Sequence, residues 1–269
     1  MAATPRRRTR EEHARYLHES VKLHLWFLWT WLRQRPEESF VAALRGRVDV
    51  YRKTDVNEGF ANHKQRRFDD PRWARLEQGL AEVYARTRDD ASAERFEAEG
   101  FELARPRVDA RLSRDFEEPP EALAFAYRCG SLDYDPPAAA HPRRVFVHIA
   151  NALQPASFFD DPRYLADCFA ALMAQCRRQF GAEEMETETW LNSHPRWLAF
   201  FPQTWARNMG PELRDVNAGF GYWGQFMTAR GTFHDKNAAH LRATGQMPFW
   251  PRHSWCSFRD MEAHLRRFY

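Results

Sequence analysis

The sequence predicts an α+β protein, with a helical region over residues 1–118 followed over 119–269 by a mixed β-sheet with helices. Three observations carry this. Ahead of Glu117-Glu118-Pro119-Pro120, apolar residues recur at spacings of three and four, as amphipathic helices require. Beyond it, short runs alternate apolar and polar side chains, as half-buried strands do. Third, 43% apolar residues, 14% of the chain aromatic, supply a real core for 269 residues.

The first helix spans 11–34, with Leu17, Val21, Leu25, Leu28 and Leu32 on one face and Pro36 ending it. Trp26, Phe27, Trp29 and Trp31 make its last turns apolar nearly all round, so the rest of the chain or a protein partner must cover them. A second helix is expected from Glu37 to Lys53. Asp55–Asp70 is a polar loop with embedded aromatics, and a third helix runs from Pro71 to about Ala98 with Trp73, Leu76, Leu80, Val83 and Tyr84 on one side. Past the break, Leu123–Cys129 and Arg144–Ala150 read as strands joined through Asp133–Pro142. Asp161-Pro162 opens a helix that Gly181 closes. A strand at Met185–Leu191, a helix at Pro195–Asn208 and a strand at Phe220–Ala229 follow. Helices at His234–Thr244 and Arg259–Arg267 flank a Trp-rich irregular stretch.

Forty basic against 37 acidic residues give a net charge of only +3, which lacks the footprint of a nucleic-acid binder; Arg6-Arg7-Arg8-Thr9-Arg10 is a local basic tail. The uncharged run Leu23–Leu32 is too short to cross a bilayer and does not read as a signal peptide, so a cytoplasmic protein is expected. Cys129, Cys168, Cys176 and Cys256 form no C-x-x-C pair and read as buried thiols. The eleven His give no metal-ligand spacing, so no structural metal is expected.

The chemistry concentrates between Val145 and Phe226, where ionisable side chains sit inside apolar sequence and must pair or react. In Arg144–Ala150, His148 shares a face with Phe146 and Ala150; both faces are mainly apolar, which marks an internal strand with His148 as a core imidazole or a general base. In the next strand Glu186, Glu188, Trp190 and Asn192 share a face, the two carboxylates ~7 Å apart at their Cα atoms. Their repulsion could create an acid or base; a solvated face would make them ordinary surface charges. Asn192-Ser193-His194-Pro195 caps a helix at the end of a strand, where open sheets bind anions and His194 could serve a substrate. Trp223 and Gln225 share a face of the Phe220–Ala229 strand, and Trp250–Cys256, with Arg252 and Trp255, reads as a rim over the pocket.

The run from His148-Ile149, through a helix, a strand ending in Trp190-Leu191, Pro195 opening the next helix, and an aromatic strand to Phe226, resembles the carboxy-terminal half of bacterial acyltransferase-like proteins related to the GNAT N-acetyltransferases. That resemblance covers under a third of the chain and implies a GNAT-like fold. The family's pyrophosphate-binding signature for coenzyme A is absent; the nearest run, Arg242–Met247, ends in Met and lies on another element, so the cofactor stays open between an acyl donor and none, and coenzyme A has no motif to hold it.

Three functions follow as expectations. The first is acyl or aminoacyl transfer to an amine in specialised biosynthesis, with Glu188 or His148 as base, Glu186 beside them, and Trp190, Asn192, His194, Trp223 and Gln225 holding a small-molecule substrate. In the second, a lyase or cyclase expels sulfate or phosphate onto Arg128, Arg230 and Arg252. The third is a non-catalytic subunit docking through the Trp26–Trp31 helix.

Overall fold

The computed structural model of the chain describes residues 8–58, 66–117 and 128–269. It is α+β and divides into two compact units. Of the described residues, one unit holds 8–117 and 215–248 and the other 128–214 and 249–269.

The first unit is helical. Helix α1 (Arg10–Gln34) begins in a capping box between Thr9 and Glu12, α2 (Phe40–Gly46) is capped by Ser39, and α3 (Pro71–Thr87) by Asp70 ahead of Pro71. Helix α4 (Glu94–Glu117) runs back along α1, joined to it by the pairs His13–Asp115 (2.8 Å) and His18–Asp109 (2.7 Å). Two expectations change here. The expected second helix stops at Gly46, with only a 3-10 turn at Tyr51–Lys53 beyond, and α4 is a fourth helix that the sequence reading did not separate. The aromatic end of α1 is interior: Phe27, Trp29 and Trp31 are buried, and Trp26 is half-buried with the Arg242 guanidinium 5.5 Å from its ring. That leaves the docking reading without an exposed aromatic patch.

The same unit contains the segment read as the strand Phe220–Ala229. It is instead a single helical turn, α8 (Phe220–Trp223), running into a 3-10 turn at Gly224–Phe226. Tyr222, Trp223 and Phe226 are buried at helical spacing, while Gly221 and Gly224 give a strand nothing to pack. Alternation was no guide where both faces are aromatic. Helix α9 (Asp235–Thr244) lies where expected in sequence, yet it too belongs to the helical unit, so a division at 118/119 does not account for 215–248.

The second unit is built on a four-stranded mixed sheet in the order β1 (Leu132–Asp135), β2 (Arg144–Ile149), β3 (Glu184–Thr189), β4 (Arg252–Ser257). β1–β2 and β3–β4 are antiparallel, and β2–β3 is parallel through the crossover helix α5 (Pro162–Phe180). Asp161 caps α5, and Gly181 ends it with φ near 63°, a left-handed conformation that glycine adopts without strain. Val145, Val147, Met185 and Cys256 face a core with Leu165, Phe169, Leu172 and Met173 of α5. The helix expected at Pro195–Asn208 is two short ones, α6 (Pro195–Leu198) and α7 (Gln203–Arg207), separated around Pro202; α10 (Phe258–Leu265) closes the chain. The expected strand Leu123–Cys129 lies largely outside the described residues. The stretch expected to be an irregular rim is instead the edge strand β4.

Among the described residues no helix is long and apolar enough to cross a membrane.

Candidate functional site

The parallel pair β2–β3 is short. Its register covers only Arg144–Phe146 against Glu184–Glu186, although β2 stays paired with β1 to Ile149 and β3 with β4 to Thr189. The carboxy-terminal halves of the two strands are therefore each held on an outer flank and not against one another. Among the described residues, no β2–β3 ladder pairs their facing backbone groups beyond that register, whereas backbone N–H and C=O groups inside a sheet are almost always paired. This crevice at the carboxyl ends of parallel strands is where open sheets receive ligands.

Asn192 fixes the β3 side. It is buried, its Nδ2 donates to the Thr187 carbonyl (3.0 Å) and the Arg252 carbonyl (2.8 Å), and its Oδ1 accepts from Trp197 Nε1 (3.0 Å). Asn192 is thus a tie between strand and turn rather than a free substrate ligand, and Ser193 makes a similar bond to the Trp250 carbonyl (2.6 Å). Trp190, half-buried, opens the 3-10 turn that follows β3. His194 lies at its end, stacked on Phe159 at 5.4 Å and edge-on to Phe249 at 5.0 Å and Trp190 at 5.9 Å. Burial first, then neighbouring Arg196, pushes its pKa down, so the imidazole is neutral; its Nδ1 is buried without a hydrogen-bond partner. Phe159, Trp190, His194 and Phe249 together form an aromatic cluster beside the crevice.

The sheet face opposite α5 carries the other expected residues. His148 Nε2 lies 2.9 Å from Asp135 Oδ2, with the imidazole 34% exposed and the Phe146 ring 5.2 Å away. Donation of Nε2–H to the carboxylate leaves Nδ1 as the proton acceptor. β2 is internal, as expected, but this face is reached by solvent. On β3, Glu186 meets His253 Nε2 at 3.0 Å and Arg144 at 3.5 Å, and Arg144 also reaches Glu184 at 2.8 Å while lying 4.0 Å over the Trp255 ring. Arg144 and His253 both answer Glu186, in place of the expected unrelieved pair of carboxylates. Glu188 points the same way and is exposed.

The structure therefore gathers His148, Glu186, Glu188 and Trp255 on one face, with Trp190, Asn192 and His194 at the crevice. It does not bring in the remainder. Trp223 and Gln225 lie in the helical unit's interior: Trp223 Nε1 donates to the Arg47 carbonyl (2.9 Å) and Gln225 Nε2 to the Tyr222 carbonyl (2.8 Å). Arg230 is exposed in that same unit. Arg128 is bonded to Asp133 and lies 4.0 Å over the Tyr134 ring, and Arg252 pairs with Glu212 at 3.4 Å. The three arginines assigned to a departing anion thus do not converge, because they fold into different elements with partners of their own.

Asp135, Arg144 and His253 were missed. Asp135 falls in the stretch whose composition reads as a connection, although Asp133 and Asp135 alternate with Leu132 and Tyr134 as strand residues do; His253 falls in the Trp-rich stretch that reads as irregular. All four cysteines are buried free thiols, and burial pushes Cys176 up to about 12, far from a nucleophile's range. At the opposite edge of β2 and β3 a shallow cleft of about 230 Å³ is lined by charges already paired, Arg143 with Glu183 and Arg144 with Glu184. Among the described residues no three His, Cys, Asp or Glu side chains gather to hold a metal ion. No protein family, curated protein or solved structure matches the chain.

Proposed function

We propose that the sheet unit transfers an acyl or aminoacyl group to an amine, with the donor's chain lying between the parted halves of β2 and β3. The observation that carries this reading is the loss of β2–β3 pairing after Phe146 and Glu186. An extended donor with amide groups would satisfy the backbone donors and acceptors left facing the crevice, as an added strand does.

The chemistry asked of the side chains is modest. His148, oriented by Asp135, takes the proton of the incoming ammonium on Nδ1. The free amine attacks the donor's carbonyl carbon, backbone N–H groups stabilise the oxyanion, and the bond to the leaving sulfur or oxygen breaks as that atom regains a proton. Glu188, exposed on the same face, is the alternative base and is less well positioned, since among the described residues no hydrogen bond orients its side chain. Phe159, Trp190 and neutral His194 would hold the apolar part of the acceptor.

The test is turnover of acyl thioesters and aminoacyl esters against a panel of amines. His148→Gln should lower kcat/KM by about 10²- to 10⁴-fold at unchanged melting temperature. If no donor is consumed or raises the melting temperature, or His148→Gln turns over like the parent, the reading is wrong.

A further inference from the structure

Within the helical unit two guanidinium groups converge on one carbonyl oxygen. Arg52 donates to the Ala218 carbonyl at 2.7 Å and Arg66 to the same atom at 3.4 Å. Bringing two like charges to one neutral acceptor is unfavourable unless an anion stands between or beside them. The carboxylate at hand is Asp49, 1% exposed, which binds Arg52 at 2.5 Å and lies 3.6 Å from the Lys53 ammonium. Lys53 is itself buried, and its remaining hydrogen bond goes to the Tyr16 hydroxyl at 2.8 Å.

The charges do not balance. Arg52, Lys53 and Arg66 bring three positive charges against the single negative charge of Asp49. His24, beside this group, adds nothing, since burial pushes its pKa down to about 3 and keeps it neutral. Arg45 is cancelled by a two-pronged bond to Glu77 at 2.7 and 2.6 Å. Among the described residues Arg66 has carbonyl partners only, its second being that of Arg45 at 2.7 Å, and none accepts from its buried Nε–H. Among the described residues the cluster is therefore two positive charges in excess, in a setting where unpaired charge is costly.

An opening adjoins the excess. Arg66 and Ala218 line a cleft of about 560 Å³ together with Phe68, Asn217 and Gly219. Phe68 offers a ring face, over which the Arg45 guanidinium already lies at 4.8 Å.

We infer that this cleft binds a doubly charged tetrahedral oxoanion, a phosphate or sulfate group borne by a small molecule, with Arg66 as its cationic ligand and Arg52, bonded to the same Ala218 carbonyl, adding positive potential from behind the wall. A dianion matches the excess charge, the Arg66 guanidinium presents forked donors that suit its oxygens, and Phe68 takes the organic remainder. This site is independent of the acyl-transfer reading, since it uses no residue of the sheet unit.

The test is calorimetric titration of the full chain with potassium phosphate, potassium sulfate and phenyl phosphate, each against potassium chloride at equal ionic strength. Saturable binding of the oxoanions is expected, tightest for phenyl phosphate if the ligand is an ester and equal to inorganic phosphate if it is the free ion. Arg66→Gln should weaken phosphate at least fivefold. Asn217→Asp, at an exposed position where the new carboxylate still accepts from the Gly219 N–H, places a competing charge on the rim and should weaken it at least as much. No binding beyond chloride, or a smaller loss in either folded variant, overturns the inference; the exposed position of Asn217→Asp keeps the test valid should Arg66→Gln fail to fold.

Discussion

The sheet face around Glu186 and the cluster around Asp49 hold similar residue types in opposite settings. On the sheet, Arg144, Glu184, Glu186 and His253 lie on a face that solvent reaches in part, Arg144 and Glu186 being 12% and 18% exposed, and each is answered by a neighbour on the next strand. Around Asp49 the charges are buried, cations outnumber the carboxylate, and a neutral imidazole is shut in with them. Water reaches part of the first group, whereas Asp49, Arg52 and Lys53 are each exposed by less than a tenth. Removing one partner should therefore be mild on the sheet and severe in the helical unit.

The largest expected effect tests that contrast directly. Asp49→Asn leaves Arg52 and Lys53 buried without a counter-charge and should cost about 3–5 kcal/mol, against under about 1 kcal/mol for Glu186→Gln, both read from urea unfolding. Equal costs would erase the distinction.

Acidity should separate the two regions next. The unfolded chain protonates the imidazole of residue 24 near 6.5, whereas the folded chain resists until about pH 3. The stabilisation is complete above pH 6.5 and is lost as pH falls toward 3, at up to about 1.4 kcal/mol per pH unit. For Asp49, burial alone would raise the carboxyl, but Arg52 and Lys53 together hold it below its ordinary value of 3.8, so its contribution is complete above that value and is lost as pH falls below it toward the depressed folded pKa. His24→Leu should flatten the fall in melting temperature between pH 6.5 and 4; an unaltered slope would place the pH sensitivity elsewhere.

Asn192 sharpens the comparison from within the sheet unit, because it is buried and neutral. Asn192→Ala removes bonds to two carbonyls and an indole N–H and should cost about 1–3 kcal/mol, more than any single charge on the exposed face. The smallest effect is at Glu188, whose exposed carboxylate predicts a stability change within about 0.5 kcal/mol for Glu188→Gln. A loss of turnover without loss of stability in that variant would move the base from His148 to Glu188.

The legible parts of the fold are those where one face is clearly apolar. Leu17 to Leu32 gave α1, Asp161-Pro162 and Gly181 bounded α5, and Val145 and Val147 marked β2, each from periodicity or capping that neighbouring residues alone dictate. Phe220–Ala229 misled because aromatics occupy both faces, so alternation carries no direction and the segment's partners, His24 and Phe27, choose a helical turn. Trp26–Trp31 was ambiguous for the same reason: an all-round apolar helix end says only that something covers it.

The sequence by itself determined that helices precede a sheet, that a helix separates β2 from β3, and that Glu186 and Glu188 share one face of their strand, because these follow from spacing along the chain. Only the tertiary structure decided that residues 215–248 return to the helical unit, that Asp135 and His253 rather than Trp223 and Gln225 accompany His148 and Glu186, and that Arg52 and Arg66 meet at Ala218. These pairings join positions distant in sequence or set by strand register, and the free energy that selects them comes from burying shared surface and matching charges across elements. A linear pattern does not record it.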